Sequence, residues 1–178
     1  MKYFAQIFNF MIAAVCHASP GAPDPSEFQA LMKLDYVAFD QTLPNGGWRA
    51  IVDKVEAGKV LDAYHVHNLD TLAPWQARVI YWHAGQVYAM ADLNDLGIAR
   101  FEKSYNPAEK SDEKSKWNAY VRGTIAFLKH DRSILQAARD EMYSADPSDE
   151  NINRKVLDSL LRCFNKPYRD AYDPDCKP

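Results

Sequence analysis

Glycine is scarce in this chain, with seven in 178 residues. A glycine-rich phosphate loop has almost no material to be built from, and Asn45-Gly46-Gly47 lacks the strand and helix that would flank one. With glycine short and Ala, Leu, Lys and Glu abundant, the body favours helix over sheet. Charge of one sign is also missing. The net charge is −3 with acids and bases interspersed, so no basic stripe points to nucleic acid and no acidic tail to a charged partner. No apolar stretch is long enough for a transmembrane span. No second histidine cluster exists to complete a metal site, and no paired-carboxylate motif stands out.

What is present begins with a targeting pattern. Lys2 is the only charge before Asp24, and an apolar stretch runs from Tyr3 to Val15. Cys16 and Ala18 satisfy the small-x-small rule for signal peptidase, which predicts a signal peptide over 1–18. Val15 stands where a lipoprotein site wants a small residue. Residues 19–25 read as a proline-rich linker and 26–178 as one domain, large enough to bury its own core. Cleavage after Ala18 removes Cys16 and leaves Cys163 and Cys176, an even pair that suggests a disulfide in an oxidising compartment. The expected location is periplasmic or secreted.

Helical signals fill the domain. Asp24-Pro25-Ser26-Glu27 is a helix start, followed by Phe28, Leu31, Met32, Tyr36 and Phe39 at helical spacing. Pro44 to Gly47 ends that helix. A second amphipathic stretch is expected from Trp48 to Val55, broken by Gly58, and a third from Val60 to Tyr64. Ala73-Pro74 opens a helix to about Ala91 that is apolar on nearly every side, which places it at the centre of the fold. Further helices are expected at about 95–105, 115–129, 132–143 and 149–164, with a short turn at 167–172. The fold class is all-α: antiparallel helical hairpins, about seven or eight helices, in a short array.

Within that array, Tyr81, Ala84, Gly85, Tyr88, Gly97 and Phe101 resemble a tetratricopeptide repeat over residues 78–110. Small residues at Ala84 and Gly85 let two helices approach, and Tyr88 and Phe101 fill the space between. Tyr120, Gly123 or Thr124, Phe127, Leu135 and Ala138 suggest a second copy with shifted spacing. Trp48 to Asn68 suggests a shortened preceding one. The chain is also similar to exported bacterial proteins of no established activity that carry Trp-His-Ala-Gly-Gln and Trp-Asn-Ala-Tyr-Val segments. The repeat resemblance implies a concave groove lined by first helices. On it would lie Trp82, Gln86, Ala89 and Met90, joined by Asn118, Val121 and Arg122. Trp and Arg are effective anchors for a partner, although Trp82 reads more readily as core, packed by the helix ahead of it.

Other chemistry is thin. His65 and His67 alternate, so on a helix they do not share a face, and the pattern reads as a solvated helix end rather than a metal site. His83 has no neighbouring Ser, Cys or Asp in the sequence and reads as a packed or groove-facing histidine. The expected function is a non-catalytic exported binding module, with no cofactor, for a protein or peptide partner. Immunity-type neutralisation of a toxin is one version. The alternatives are an envelope assembly or scaffold factor, and a hydrolase using His65, His67 or His83.

Overall fold

The computed structural model describes residues 21–110, 116–146 and 151–178. The expected signal peptide, its cleavage at Ala18 and the first residues of the linker lie outside the described residues. Among the described residues the fold is all-helical: α1 (Pro25–Met32), α2 (Lys54–His67), α3 (Pro74–Met90), α4 (Asn94–Lys103), α5 (Trp117–Leu128), α6 (Arg132–Ala145), α7 (Ile152–Arg162) and α8 (Tyr168–Ala171). None of these helices is long and apolar enough to cross a membrane.

Local chemistry sets most helix starts. Asp24 accepts from the Ser26 and Glu27 amides while Glu27 returns a bond to the Asp24 amide, a capping box with Pro25 at the first turn. Asp53 caps α2 through the amides of Val55 and Glu56. Asn151 caps α7 through the Arg154 amide, two residues beyond the expected start at residue 149, which is not among the described residues.

Two expectations need correction in the first third of the chain. The helix expected to run from Phe28 to Phe39 stops at Met32. Asp35 then accepts a bond from the Ala38 amide at 2.8 Å and starts a separate π-helical turn, Val37–Gln41. The side chain offers the backbone an alternative to continuing the helix. Nor do Trp48 to Val55 form a helix broken at Gly58. A 3₁₀ turn, Gly47–Ala50, leads into extended backbone, and α2 runs unbroken through Gly58. Gly58 sits there because of contact. A Cβ on it would lie 2.6 Å from the Tyr88 ring, so glycine lets α2 and α3 close on each other.

The hairpins α3–α4 and α5–α6 share one turn geometry. Asp92 (φ 61°) and His130 (φ 55°) occupy left-handed backbone. The Leu93 amide bonds Tyr88 O and the Asp131 amide bonds Ala126 O. These 6→1 bonds, with Asp92 to Ala89 and His130 to Phe127 beside them, are Schellman motifs that satisfy the last carbonyls of α3 and α5. Gly85 and Gly123 precede those turns by the same interval. A Cβ on Gly85 would meet Phe101 at 2.7 Å, and one on Gly123 would meet Leu157 at 2.8 Å.

The core divides along α3. Ile80, Ala84, Val87 and Tyr88 pack with Met32, Phe39, Trp48, Leu61 and Tyr64. Trp82 and Ala89 join Phe101, Tyr120, Phe127, Leu135, Leu157 and Tyr168. α3 is apolar on most sides because α2, α4 and the C-terminal segment all pack on it. The C-terminal tail is tied back by a disulfide between Cys163 and Cys176. Arg162 reinforces it by donating to the carbonyls of Pro174 and Cys176.

Candidate functional site

Residues α3 does not spend on hairpin packing open onto a cleft of about 360 Å³. Trp75, Val79, Trp82, His83 and Gln86 share that face, at the spacing of one helical stripe. The π-turn and the 3₁₀ turn form the opposite wall with Tyr36, Asp40 and Arg49. Trp117 and Tyr120 of α5, Asn153 of α7 and Tyr172 of the tail complete it.

Asp40 organises this wall. It is fully buried, and an isolated carboxylate there would be costly. It is not isolated. His83 Nδ1 lies 2.7 Å from Asp40 Oδ1, and the Trp48 indole donates to the same oxygen at 2.8 Å. Gln41 donates to Oδ2, and the Arg49 guanidinium donates to the Asp40 carbonyl while stacking on Trp48 at 4.3 Å. Burial pushes the Asp40 carboxyl up, but the bonds and charge of His83, the Trp48 N–H and Arg49 outweigh it and hold it below the ordinary range. Gly47 makes this approach possible. It has φ +57°, and a Cβ would fall 1.9 Å from the Phe39 carbonyl oxygen.

The bond to Asp40 orients His83. A carboxylate on Nδ1 fixes the tautomer and leaves Nε2 as the ring nitrogen turned to other work. Nε2 makes no hydrogen bond to the described residues. The aromatic wall is anchored too. The Trp117 indole donates to Ser104 O at 2.7 Å, and Gln86 donates to the Tyr172 hydroxyl at 2.8 Å. Trp82 lies within 4.5 to 5.1 Å of the Phe101, Trp117 and Tyr120 rings.

A larger depression, about 480 Å³, lies between α1 and the 3₁₀ turn. Leu31, Leu34, Ile51 and Val52 line it. Among its described lining residues the one ionisable group, Glu27, is occupied by the α1 capping box. Directed polar groups converge on the α3 cleft instead.

The structure divides the expected groove residues. Trp82 and Gln86 line the cleft, although Trp82 is only 4% exposed. Met90 packs against the second core cluster. Asn118 grips Asn106, accepting from its amide and donating to its carbonyl. Arg122 is paired with Glu141. None of these three lines the cleft.

His65 is not a solvated helix end. It is buried against Tyr81, with ring centroids 4.2 Å apart, and burial, then the Lys103 charge, lowers its pKa. His67 is exposed. Among the described residues no group of three His, Cys, Asp or Glu side chains could hold a metal ion. Asp62 is engaged by Arg100 at 2.6 and 2.8 Å and by the Tyr88 hydroxyl at 3.0 Å.

No family matches. The chain fits no protein-family model, and no curated protein or solved structure is similar to it. The chemistry of the cleft therefore has to be read from its own residues. Sequence reading missed Asp40, Arg49, Tyr36, Asn153 and Tyr172, which reach the site only through tertiary packing. The one local signal was a carboxylate closing the apolar run Tyr36-Val37-Ala38-Phe39, where a charge has to find partners.

Proposed function

We propose that the protein is an exported, non-catalytic binding module, similar in build to a short tetratricopeptide array, that engages a protein or peptide partner at the α3 cleft. The observation that carries this reading is the cleft itself. A half-exposed Trp75 and the partly buried Trp117 and Tyr172 surround a pair of polar groups, Arg49 and His83, held in place by one buried carboxylate. Concave sites with an aromatic lining and a few fixed polar groups are the usual form of ligand sites, and Trp, Tyr and Arg carry most of the energy where proteins meet. The disulfide supports an oxidising compartment. Neutralisation of an exported toxin is one version of this function, and a role in envelope assembly is its neighbour.

The test is affinity capture from a periplasmic extract with wild-type protein and with Trp75→Ala and Trp117→Ala variants. A stoichiometric partner held by the wild type and lost by both variants supports the reading. Equal capture by all three removes the cleft from it. Mass spectrometry tests export separately: the mature chain should begin at or near Ser19, and an intact Met1 would refute the claim.

A second reading is favoured by the geometry of His83. A histidine oriented by a buried carboxylate is the arrangement of a general base. The described lining residues include no Ser, Thr or Cys nucleophile, so such a base would act on water. His83→Gln keeps a donor for Asp40 but cannot act as a base. Loss of a hydrolytic activity in that variant, with folding intact, would favour this reading over binding.

A further inference from the structure

We propose that the α3 cleft binds the C-terminal residue of a polypeptide, with the terminal carboxylate held by Arg49 and His83 and an apolar side chain laid against Trp75, Leu43 and Val79. This rests on the reading of the cleft as a binding site and adds the chemistry of its ligand. Three observations lead to it.

The first is the arrangement of charge. Among the described lining residues the only carboxylate is Asp40, and it is enclosed and already engaged by Trp48, His83 and Gln41. The cation faces outward. Arg49 uses one nitrogen on the Asp40 carbonyl, and its other N–H groups have no acceptor among the described residues. Once protonated, His83 adds an Nε2–H donor beside it, since both side chains lie on the same carboxylate, Arg49 at 3.8 Å and His83 at 2.7 Å. Two directed donors and a locally positive balance suit a planar anion.

The second is size. A cavity of about 360 Å³ falls at the low end of the range for small-ligand sites, roughly 300–1,000 Å³. It has room for a chain end rather than a long segment threaded through it.

The third is the apolar rim. Leu43 is 72% exposed and Trp75 52% exposed, side by side with Val79 on the cleft. Apolar residues grouped at the mouth of a concave site are the kind of surface a ligand covers. An apolar C-terminal residue satisfies the rim and the two donors together.

Three probes test the proposal: N-acetyl-phenylalanine, its primary amide, and N-acetyl-aspartate α-amide. Each is titrated into the oxidised protein, following indole N–H and His83 ring signals by NMR. N-acetyl-phenylalanine should shift Trp75, Trp117 and His83 and bind roughly tenfold more tightly than its amide. His83→Gln should weaken the preference for carboxylate, and Arg49→Gln should abolish it. If Arg49→Gln fails to fold, His83→Gln decides alone. Equal binding of acid and amide overturns the proposal but leaves the cleft as a binding site. Equal binding of the aspartate probe overturns the choice of a chain end. Shifts from none of the probes up to about 10 mM remove this proposal, while capture of a partner sensitive to Trp75 would still keep the broader reading.

Discussion

Gly58→Ala sets two effects of opposite sign against each other. In the middle of an exposed helix, alanine in place of glycine stabilises by about 1 kcal/mol through backbone entropy. Gly58 is buried in α2. The added Cβ would lie 2.6 Å from Cε1 and Cζ of Tyr88 and 3.0 Å from Cδ1, whereas carbon atoms rest at about 3.5–4.0 Å. Relief requires the ring to move by about 1 Å. The ring is not free to do so. Tyr88 is 4% exposed, and its hydroxyl donates at 3.0 Å to Asp62, which Arg100 grips with two bonds. Overpacking costs about 1–3 kcal/mol, and weakening a hydrogen bond to a charged group costs about 1.5 kcal/mol or more. The loss exceeds the gain, and the variant should be less stable by about 1–3 kcal/mol. At this chain length that lowers Tm by about 3–10 °C. Thermal and urea unfolding of the oxidised protein, followed by circular dichroism, measures it. A Tyr88→Leu background gives the control. With the ring gone, Gly58→Ala should become neutral or stabilising, a coupling of at least about 1.5 kcal/mol. If Gly58→Ala stabilises the wild type by the full helical increment, the close approach of α2 and α3 is refuted.

Gly47→Ala combines left-handed backbone with a clash against the Phe39 carbonyl, so it should cost about 3 kcal/mol and shift the Trp48 indole N–H signal as the turn leaves Asp40. For Asp40→Asn the sign follows from its depressed folded pKa. The ionised form is favoured by folding, so its contribution is present above the ordinary carboxylate value of 3.8 and is lost as pH falls through the folded value. The variant should be less stable by about 2 kcal/mol at pH 7, and its stability should fall less steeply below pH 4; an unchanged acid limb would contradict the pairing. Replacing Cys163 and Cys176 by serine should cost about 3 kcal/mol for a loop of this length, seen in urea unfolding, and should loosen Tyr172 from Gln86. Trp75→Ala should stay within about 0.5 kcal/mol of wild type while weakening capture of the partner, because an indole that is 52% exposed contributes little to the core.

How far the sequence could be read depended on whether the deciding contacts were local. Pro74 at the first turn of α3, the capping box at Asp24 and the disulfide pair were all visible in short windows. α3 was readable as central because no face of it was polar. The failures have one cause each. Gly58 looked like a breaker because propensity was weighed without its neighbour Tyr88, thirty residues on. Trp48 looked helical by its spacing to Ile51, Val52 and Val55, but Val52 is 87% exposed and the pattern was not an amphipathic face. The two Schellman turns carry Asp92 and His130 where glycine is the usual signal, so the breaks near them were legible but their left-handed geometry was not. The candidate site was half legible. Trp82 and Gln86 were identified through a repeat resemblance, whereas Asp40 lies forty-three residues from His83 and only folding joins them.

The position of His83 shows why the site and the scaffold can be altered separately. On α3, Ala84, Gly85 and Tyr88 face the neighbouring helices, where Gly85 touches Phe101 and Tyr88 meets Gly58. Trp75, Val79, His83 and Gln86 fall on the other stripe and meet the cleft. Any added bulk on the first stripe must be absorbed by a helix pair with no spare space, so its effect is on stability. The second stripe borders an open volume, so truncation there leaves no enclosed void to penalise. His83 is the exception that joins the two. Its Nδ1 partner, Asp40, is also what Trp48 and Gln41 bind, so the ring that lines the cleft also holds a buried carboxylate. Removing the imidazole altogether would strand that charge and unsettle the wall, whereas glutamine, which still donates to Asp40, separates the binding role from the structural one.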